Sequence, residues 1–489
     1  QFEEAARRFL KIERLLYRGL TSWETLTTAQ DREMQAIIRI ACLAAEQGNM
    51  NAQFWVGQLY QYGRGTQFDA EKACAYYEKA ANQGNARAQH NLGVILSRGL
   101  GTIKKDVELA QRYLEDAAKQ GNIDSAFGLS WMLFDQEGDA ESKKRASDWE
   151  LKAAQSGHAV AQLNLGTRYS TGKWVKKSEQ EALKWWKKSA AQKNPQAEFA
   201  LAMAYKGQGK TTEMVFWLHR ASTNTWWQEY GNLHDKHIEE HVRGAVSQAQ
   251  FVLGVCYGAG EGVKQSKAGV EKWHRMAANN GHAEAAWNIT PMYLPPGSFP
   301  NPTLAVKYCR LAVDRGVVEA FGTLGFLLAQ GYGVAQSFKE AARWYKAGSD
   351  LKDPESQHRL AFAYHEGKGV AQDDRKAALY WRQAADQGFA NAQSQLGLMY
   401  GDGQGVPKSD KEAAKWHRKA AEQGNQVSQF SVGFDYEHGL GGVRADRAKA
   451  LKYYSLAAMQ GHRGGQECYE KLRKTLSDPL TRSRVSLAK

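Results

Sequence analysis

Small and apolar residues recur at i, i+4, i+5 and i+8 around Ala392, Leu396, Gly397 and Tyr400, the spacing of one face of a helix. Gly401, Gly403 and Gly405 interrupt it, and a second stripe follows at Ala413, Trp416, Ala420 and Ala421 before Gly424. The pattern predicts two helices joined by a glycine turn, with Gly424 as a left-handed cap. Its Leu-Gly-x-x-Tyr-like centre returns at Gly57, Gly93, Ser130, Gly166, Ala202, Gly254, Thr290, Gly325, Ala361, Gly397 and Gly433. Nine of the ten gaps lie within one residue of 36, and the other is 52. A fixed period in this range marks a solenoid, in which each unit buries its apolar face only by stacking on its neighbours.

The central glycine reads as a small contact position that lets the second helix approach, a role Ser130, Ala202, Thr290 and Ala361 fill less well. Gly48, Gly84, Gly121, Gly157, Gly281, Gly316, Gly388 and Gly461 hold the place of the cap. Pro195 and Pro354 stand where a next helix begins, a position that tolerates proline. The fold class expected is all-α, built of antiparallel helix pairs.

The recurring Ala-x-Ala-Gln-x-x-Leu-Gly-x-x-Tyr, Gly-x-Gly-Val, Lys-Ala-x-x-Tyr-Trp and Ala-Ala-x-Gln-Gly elements resemble the Sel1-like repeats, relatives of the tetratricopeptide repeat, of bacterial type. Residues 353–389 and 391–425 match almost throughout, and the resemblance extends over roughly 50–462. It implies a right-handed superhelical solenoid of about twelve helix pairs. The organisation expected is a degenerate repeat or cap at 1–49, a first arc at 50–222, a Trp- and His-rich insertion at 223–245, a second arc at 246–462, and a closing helix with a basic tail at 463–489.

Two stretches break the period. The insertion carries Trp226, Trp227 and Tyr230, which need a cover, either their own solenoid or a partner. Pro291, Pro295, Pro296, Pro300 and Pro302 replace the glycine turn of another repeat, and an extended, stiff segment is expected there.

Chemistry is sparse. His237, Glu240 and His241 match H-x-x-E-H, a zinc-hydrolase spacing, without a motif for a third ligand. Gly207 to Thr212 imitates the end of a phosphate-binding loop but falls where each repeat has its turn. The five cysteines form no C-x-x-C pair. No cofactor, no metal and no catalytic residue is therefore assigned.

With Ala as position 3 of the first helix, Leu as 7, Gly as 8 and Tyr as 11, positions 5 and 9 lie opposite the second helix. In the tetratricopeptide relatives that side lines the concave surface. Here it carries Phe54, His90, Phe127, Phe199, Phe251, Trp287, His358 and Phe430 at position 5, and Trp131, Phe326, Phe362 and Phe434 at position 9. These rings either pack between repeats or line a groove for a partner. Together with Trp226, Trp227 and Tyr230 they are the candidate partner-binding residues.

The formal charge of +13 leaves room for an acidic partner surface, and no motif for nucleic acid appears. No apolar run reaches the length of a membrane span. The resemblance implies a non-catalytic scaffold for a protein partner. The reading preferred on these grounds is a bacterial immunity protein that occludes a secreted, phospholipase-like effector, such as those delivered by type VI secretion. The alternative is an envelope adaptor for secretion or exopolysaccharide export. A periplasmic or envelope-associated site is expected, with the cytoplasm open.

Overall fold

The computed structural model describes residues 2–17, 27–135, 140–224 and 236–477. Among them there are 25 helices, and the sole bridge of β type is the isolated one between Leu100 and Ile103. The chain divides into two compact units, Gln1–Ala245 and Val246–Lys489. In each, successive helices pair antiparallel. The pair Ala390–Asp402 and Asp410–Glu422 is typical, and twelve such pairs precede a closing helix, Arg463–Ser477.

Each pair is started and stopped by its own residues. Asn49, Asn85, Asn194, Asp353 and Asn425 cap first helices through a side-chain oxygen on a free backbone N–H. Asp69, Ser178, Ser266, Ser337 and Ser409 do so for second helices. Gly84, Gly388 and Gly424 follow the second helices at φ near +90°, a backbone that side-chain-bearing residues rarely adopt.

The central glycine lies flat against a side chain of the second helix. A Cβ on Gly166 would stand 2.5 Å from the Trp186 indole, and on Gly57 2.7 Å from the Tyr77 ring. Gly254 and Gly397 face His274 and His417 in the same way. At Ser130 the facing column holds Glu150 instead, a buried carboxylate whose partner is Arg168 of the next first helix. Burial pushes Glu150 above the usual carboxylate range, and Arg168 opposes that shift. The Arg168 guanidinium also lies 3.6 Å from the centre of the Phe134 ring.

In five repeats a buried glutamine ties the repeat to its neighbour. Position 4 is Gln53, Gln89, Gln162, Gln393 and Gln429, and each donates to an alanine carbonyl eight residues earlier, at the end of the previous repeat. Each also accepts from the glutamine that ends its own second helix, as Gln120 donates to Gln89 at 2.7 Å and Gln423 to Gln393 at 2.9 Å. This clasp accounts for both glutamines of the repeat pattern, because each satisfies buried polar groups that helix ends leave open.

Two loops depart from the pattern. The proline segment is a compact turn rather than an extended strut. Pro291 is still inside the helix Ala283–Tyr293, and the chain folds back so that Asn301 N–H donates to the Tyr293 carbonyl at 2.9 Å. Asp373 to Tyr364 and Ser409 to Tyr400 close the glycine loops identically, so the closing bond decides the path and the prolines conform to it. In the loop at 172–177, Trp174 replaces the second glycine at φ +67° and stands exposed. Elsewhere that glycine touches the preceding repeat's second helix, as Gly405 does the Asp374 backbone. Beside Trp174 there is instead a cavity of about 280 Å³, which Lys143 and Lys144 also line.

Candidate protein-binding surface

The structure separates positions 5 and 9. Position 5 packs along the seam between repeats, where its side chains are half-buried or buried. Phe127 stacks on His158 with ring centres 4.4 Å apart, Phe251 on His282 at 4.3 Å, and Phe430 on His462 at 4.8 Å. His358 meets Phe389 at 5.2 Å, and His90 Nδ1 lies 2.9 Å from Ser125 Oγ. Phe54 leans on Tyr77, and Trp287 packs against the core of its unit. Phe199 is half-buried as well.

The partner ring in these stacks starts the next first helix. His158, His282 and His462 each accept a backbone N–H on Nδ1 three residues on, at 3.0–3.2 Å. That role requires the neutral imidazole. Burial holds His158 and His282 below the usual histidine range. Burial does the same more strongly to His274, His358 and His417, each held down at about 4.

Position 9 faces outward. Trp131 is 54% exposed, Val255 43%, Phe434 42%, Leu398 38% and Phe326 37%. Phe362 is half-buried edge-on against Trp381 at 5.0 Å, and Gln58, Val94 and Met203 are half-buried too. Adjacent first helices meet beside this column. The Arg359 guanidinium sits 4.5 Å from the centre of the Phe326 ring of the preceding repeat and pairs with Glu355. The second unit thus presents a row of apolar side chains on parallel helices, in the manner of a binding surface, while the first unit presents Trp131 alone in this way.

Trp226, Trp227 and Tyr230 lie outside the described residues, as do the side chains of His237 and His241. Gly207 to Thr212 forms the tight turn between the helices Pro195–Gly207 and Thr211–Ser222, with no strand before it. No described helix is long and apolar enough to cross a membrane. Sequence reasoning passed over the carboxylates near position 9, although their seven-residue spacing from that position was readable in the first helices.

A family model described as Sel1 repeat matches residues 51–85, 86–122, 159–194, 247–282, 292–317, 324–353, 354–389, 390–425 and 426–462, more than half of the chain. The two longest unmatched stretches between these, 123–158 and 195–246, hold Ser130 and Ala202, where the central glycine is lost. Among curated proteins, chitin synthase regulatory factor 3 of Schizosaccharomyces pombe is 29% identical over 266 residues, 52% of this chain and 26% of that protein. The ERAD-associated E3 ubiquitin-protein ligase component HRD3A of Arabidopsis thaliana is 38% identical over 94 residues, 18% of this chain and 14% of that protein. The matches therefore span no more than 26% of the length of these curated relatives. Among solved structures, a protective antigen present in uropathogenic Escherichia coli strains is similar with a TM-score of 0.69 and 25% identity, covering 92% of this chain and 93% of that one.

Proposed function

The chain belongs to the Sel1 repeat family, and on that premise we propose that it is a protein-binding scaffold with no catalysis of its own. The observation that carries this is the set of exposed apolar side chains at position 9, Trp131 in the first unit and Phe326, Leu398 and Phe434 along the second, on helices that pack their other faces into the core. Apolar side chains held out on a rigid frame act as anchors for a partner.

Within that class the reading is an immunity protein that covers the active or membrane-docking face of a secreted, phospholipase-like effector. What supports it is a stack of helices that offers one face along each unit, suited to occlusion. An envelope adaptor for secretion or polysaccharide export is the second reading, favoured by the likeness along nearly the whole chain to a bacterial protective antigen. Both place the protein at the periplasm or envelope.

The test is capture of partners from lysate of the source cells by the native chain and by a Phe326→Asp, Phe434→Asp variant. One stoichiometric hydrolase held by the native chain alone supports the immunity reading. A set of export proteins held by the native chain alone supports the adaptor. Equal capture by both baits overturns the role of the apolar column.

A further inference from the structure

The second unit's position-9 side chains are bordered by carboxylates without a Lys or Arg at the same places, whereas the first unit's borders are of mixed sign. Seven residues before position 9, two turns back on the same helix face, stand Glu284, Glu319 and Glu355. Three or four residues after position 9, one turn on, stand Glu366, Asp402 and Glu437. Arg359 is the sole Lys or Arg on the helices Ala283–Tyr293, Glu319–Gln330, Pro354–Glu366, Ala390–Asp402 and Gln426–His438, and it is occupied by Glu355 and the Phe326 ring. Glu366 pairs with Lys368 at 2.8 Å and Glu437 accepts from the Tyr454 hydroxyl at 2.7 Å, whereas Glu284, Glu319 and Asp402 are exposed and make no ion pair among the described residues. In the first unit the two places hold Arg87 and Arg98 in one repeat and Asp124 and Asp135 in the next.

The net positive charge of the chain is therefore carried elsewhere. In the second unit it lies on the second helices, where Lys272 lies over Trp273, Lys307 over Tyr308, and Lys415 and Lys419 over Trp416. The two helix layers of this unit carry opposite signs, and the outward apolar side chains belong to the acidic layer.

We propose that the second unit's first-helix surface takes a basic, apolar segment of a partner protein, its aliphatic or aromatic side chains seated among Val255, Phe326, Leu398 and Phe434 and its Lys or Arg side chains on the flanking carboxylates. This rests on the scaffold reading above and names the chemistry of its partner. It replaces, for this surface, the acidic partner that the total charge favours. Apolar contact supplies the affinity, and the two acidic borders supply selectivity and a faster encounter.

The test is fluorescence anisotropy of the full chain with three labelled peptides of equal length: alternating Leu and Lys, alternating Leu and Glu, and alternating Ser and Lys. The Leu–Lys peptide should bind, more weakly at high salt, and the other two should not. The triple variant Glu284→Lys, Glu319→Lys, Asp402→Lys should lose about tenfold or more for Leu–Lys and gain affinity for Leu–Glu. A native chain that binds Leu–Glu as well as Leu–Lys, or a triple variant that binds like the native chain, overturns the inference. So does a large gain in Leu–Lys binding when the chain is cut after residue 477, since its own basic tail would then be the occupant. If no peptide binds while Phe326→Asp, Phe434→Asp still abolishes partner capture, the basic-segment inference falls and the scaffold reading stands. If that variant captures partners normally, the scaffold's use of this column falls first.

Discussion

The side-chain amide of Gln423 donates to the side-chain oxygen of Gln393 at 2.9 Å, while Gln393 itself donates to the Ala385 carbonyl at 3.1 Å. One buried side chain thus holds the end of its own second helix and the end of the preceding one. Replacing Gln393 with Leu roughly keeps the volume but removes both bonds at once, leaving the Gln423 amide without its acceptor and the Ala385 carbonyl with backbone N–H donors alone. The expected cost is about 1–3 kcal/mol, read as a lower denaturant midpoint. An unchanged midpoint would mean that the clasp only reports a packing set by other contacts.

Two glycines of neighbouring first helices should respond to alanine with opposite sign. Gly166 has the Trp186 indole 2.5 Å from where a Cβ would stand, so Gly166→Ala should destabilise by about 1–3 kcal/mol. Gly128 has nothing nearer than 3.9 Å, so Gly128→Ala should stabilise by about 0.5–1 kcal/mol through the unfolded chain. Paired thermal melts decide it, and equal shifts would refute the packing argument.

The helix pairs, their turns and the close approach at the central glycine were legible in the sequence, because a period of 36 residues repeats one set of contacts many times over. Position 5 was not separable from position 9. The two lie one turn apart on a single helix, and only the neighbouring repeat distinguishes them, by setting His158 on Phe127 and leaving Trp131 bare. The proline segment misled for a related reason. Five prolines suggested an extended path, but the bond from Asn301 to Tyr293 belongs to the repeat and overrode it. The carboxylate borders were in the sequence and hidden by the total charge, which averages two helix layers of opposite sign.

The seam and the exposed column should part under serine substitution. Phe127→Ser removes a stacked ring from between repeats and should cost about 2 kcal/mol. Trp131→Ser, four residues on, should stay within about 0.5 kcal/mol of the native chain. Chemical denaturation of the two variants side by side is the measurement, and a comparable loss in both would return Trp131 to the core.

Acid should loosen the fold before it titrates most carboxylates. His274, His358 and His417 are held at about 4 by burial, against about 6.5 for a free histidine. The folded chain binds these protons less readily than the unfolded one. The stability they allow is complete above pH ~6.5 and is lost as the pH falls toward ~4. His417→Tyr, which copies the Tyr454 side chain that faces Gly433, should flatten part of that slope in melts taken across the range. A native chain equally stable at both ends would contradict the assignment.

The buried pair of Glu150 and Arg168 gives a further test. Arg168→Met strands a carboxylate that is 1% exposed, and the expected cost at neutral pH is about 3–5 kcal/mol. Burial already raises Glu150, and loss of Arg168 raises it further, so the variant should recover stability as the pH is lowered and the carboxyl protonates. Adding Glu150→Gln should rescue much of the loss. Failure of both the acid recovery and the rescue would show that Arg168 acts through its stack on Phe134 instead.

The clasp has a consequence for length. Excising residues 390–425 would bring Gln429 to the register Gln393 now holds, with the Ala385 carbonyl before it and Gln460 still behind it. The junction would reproduce the bonds it removed, and the binding face would shorten by one helix diameter, about 10 Å. The stretch that carries the clasp can therefore be read as a ruler whose graduations are interchangeable, so that the size of the partner it fits is set by how many it carries.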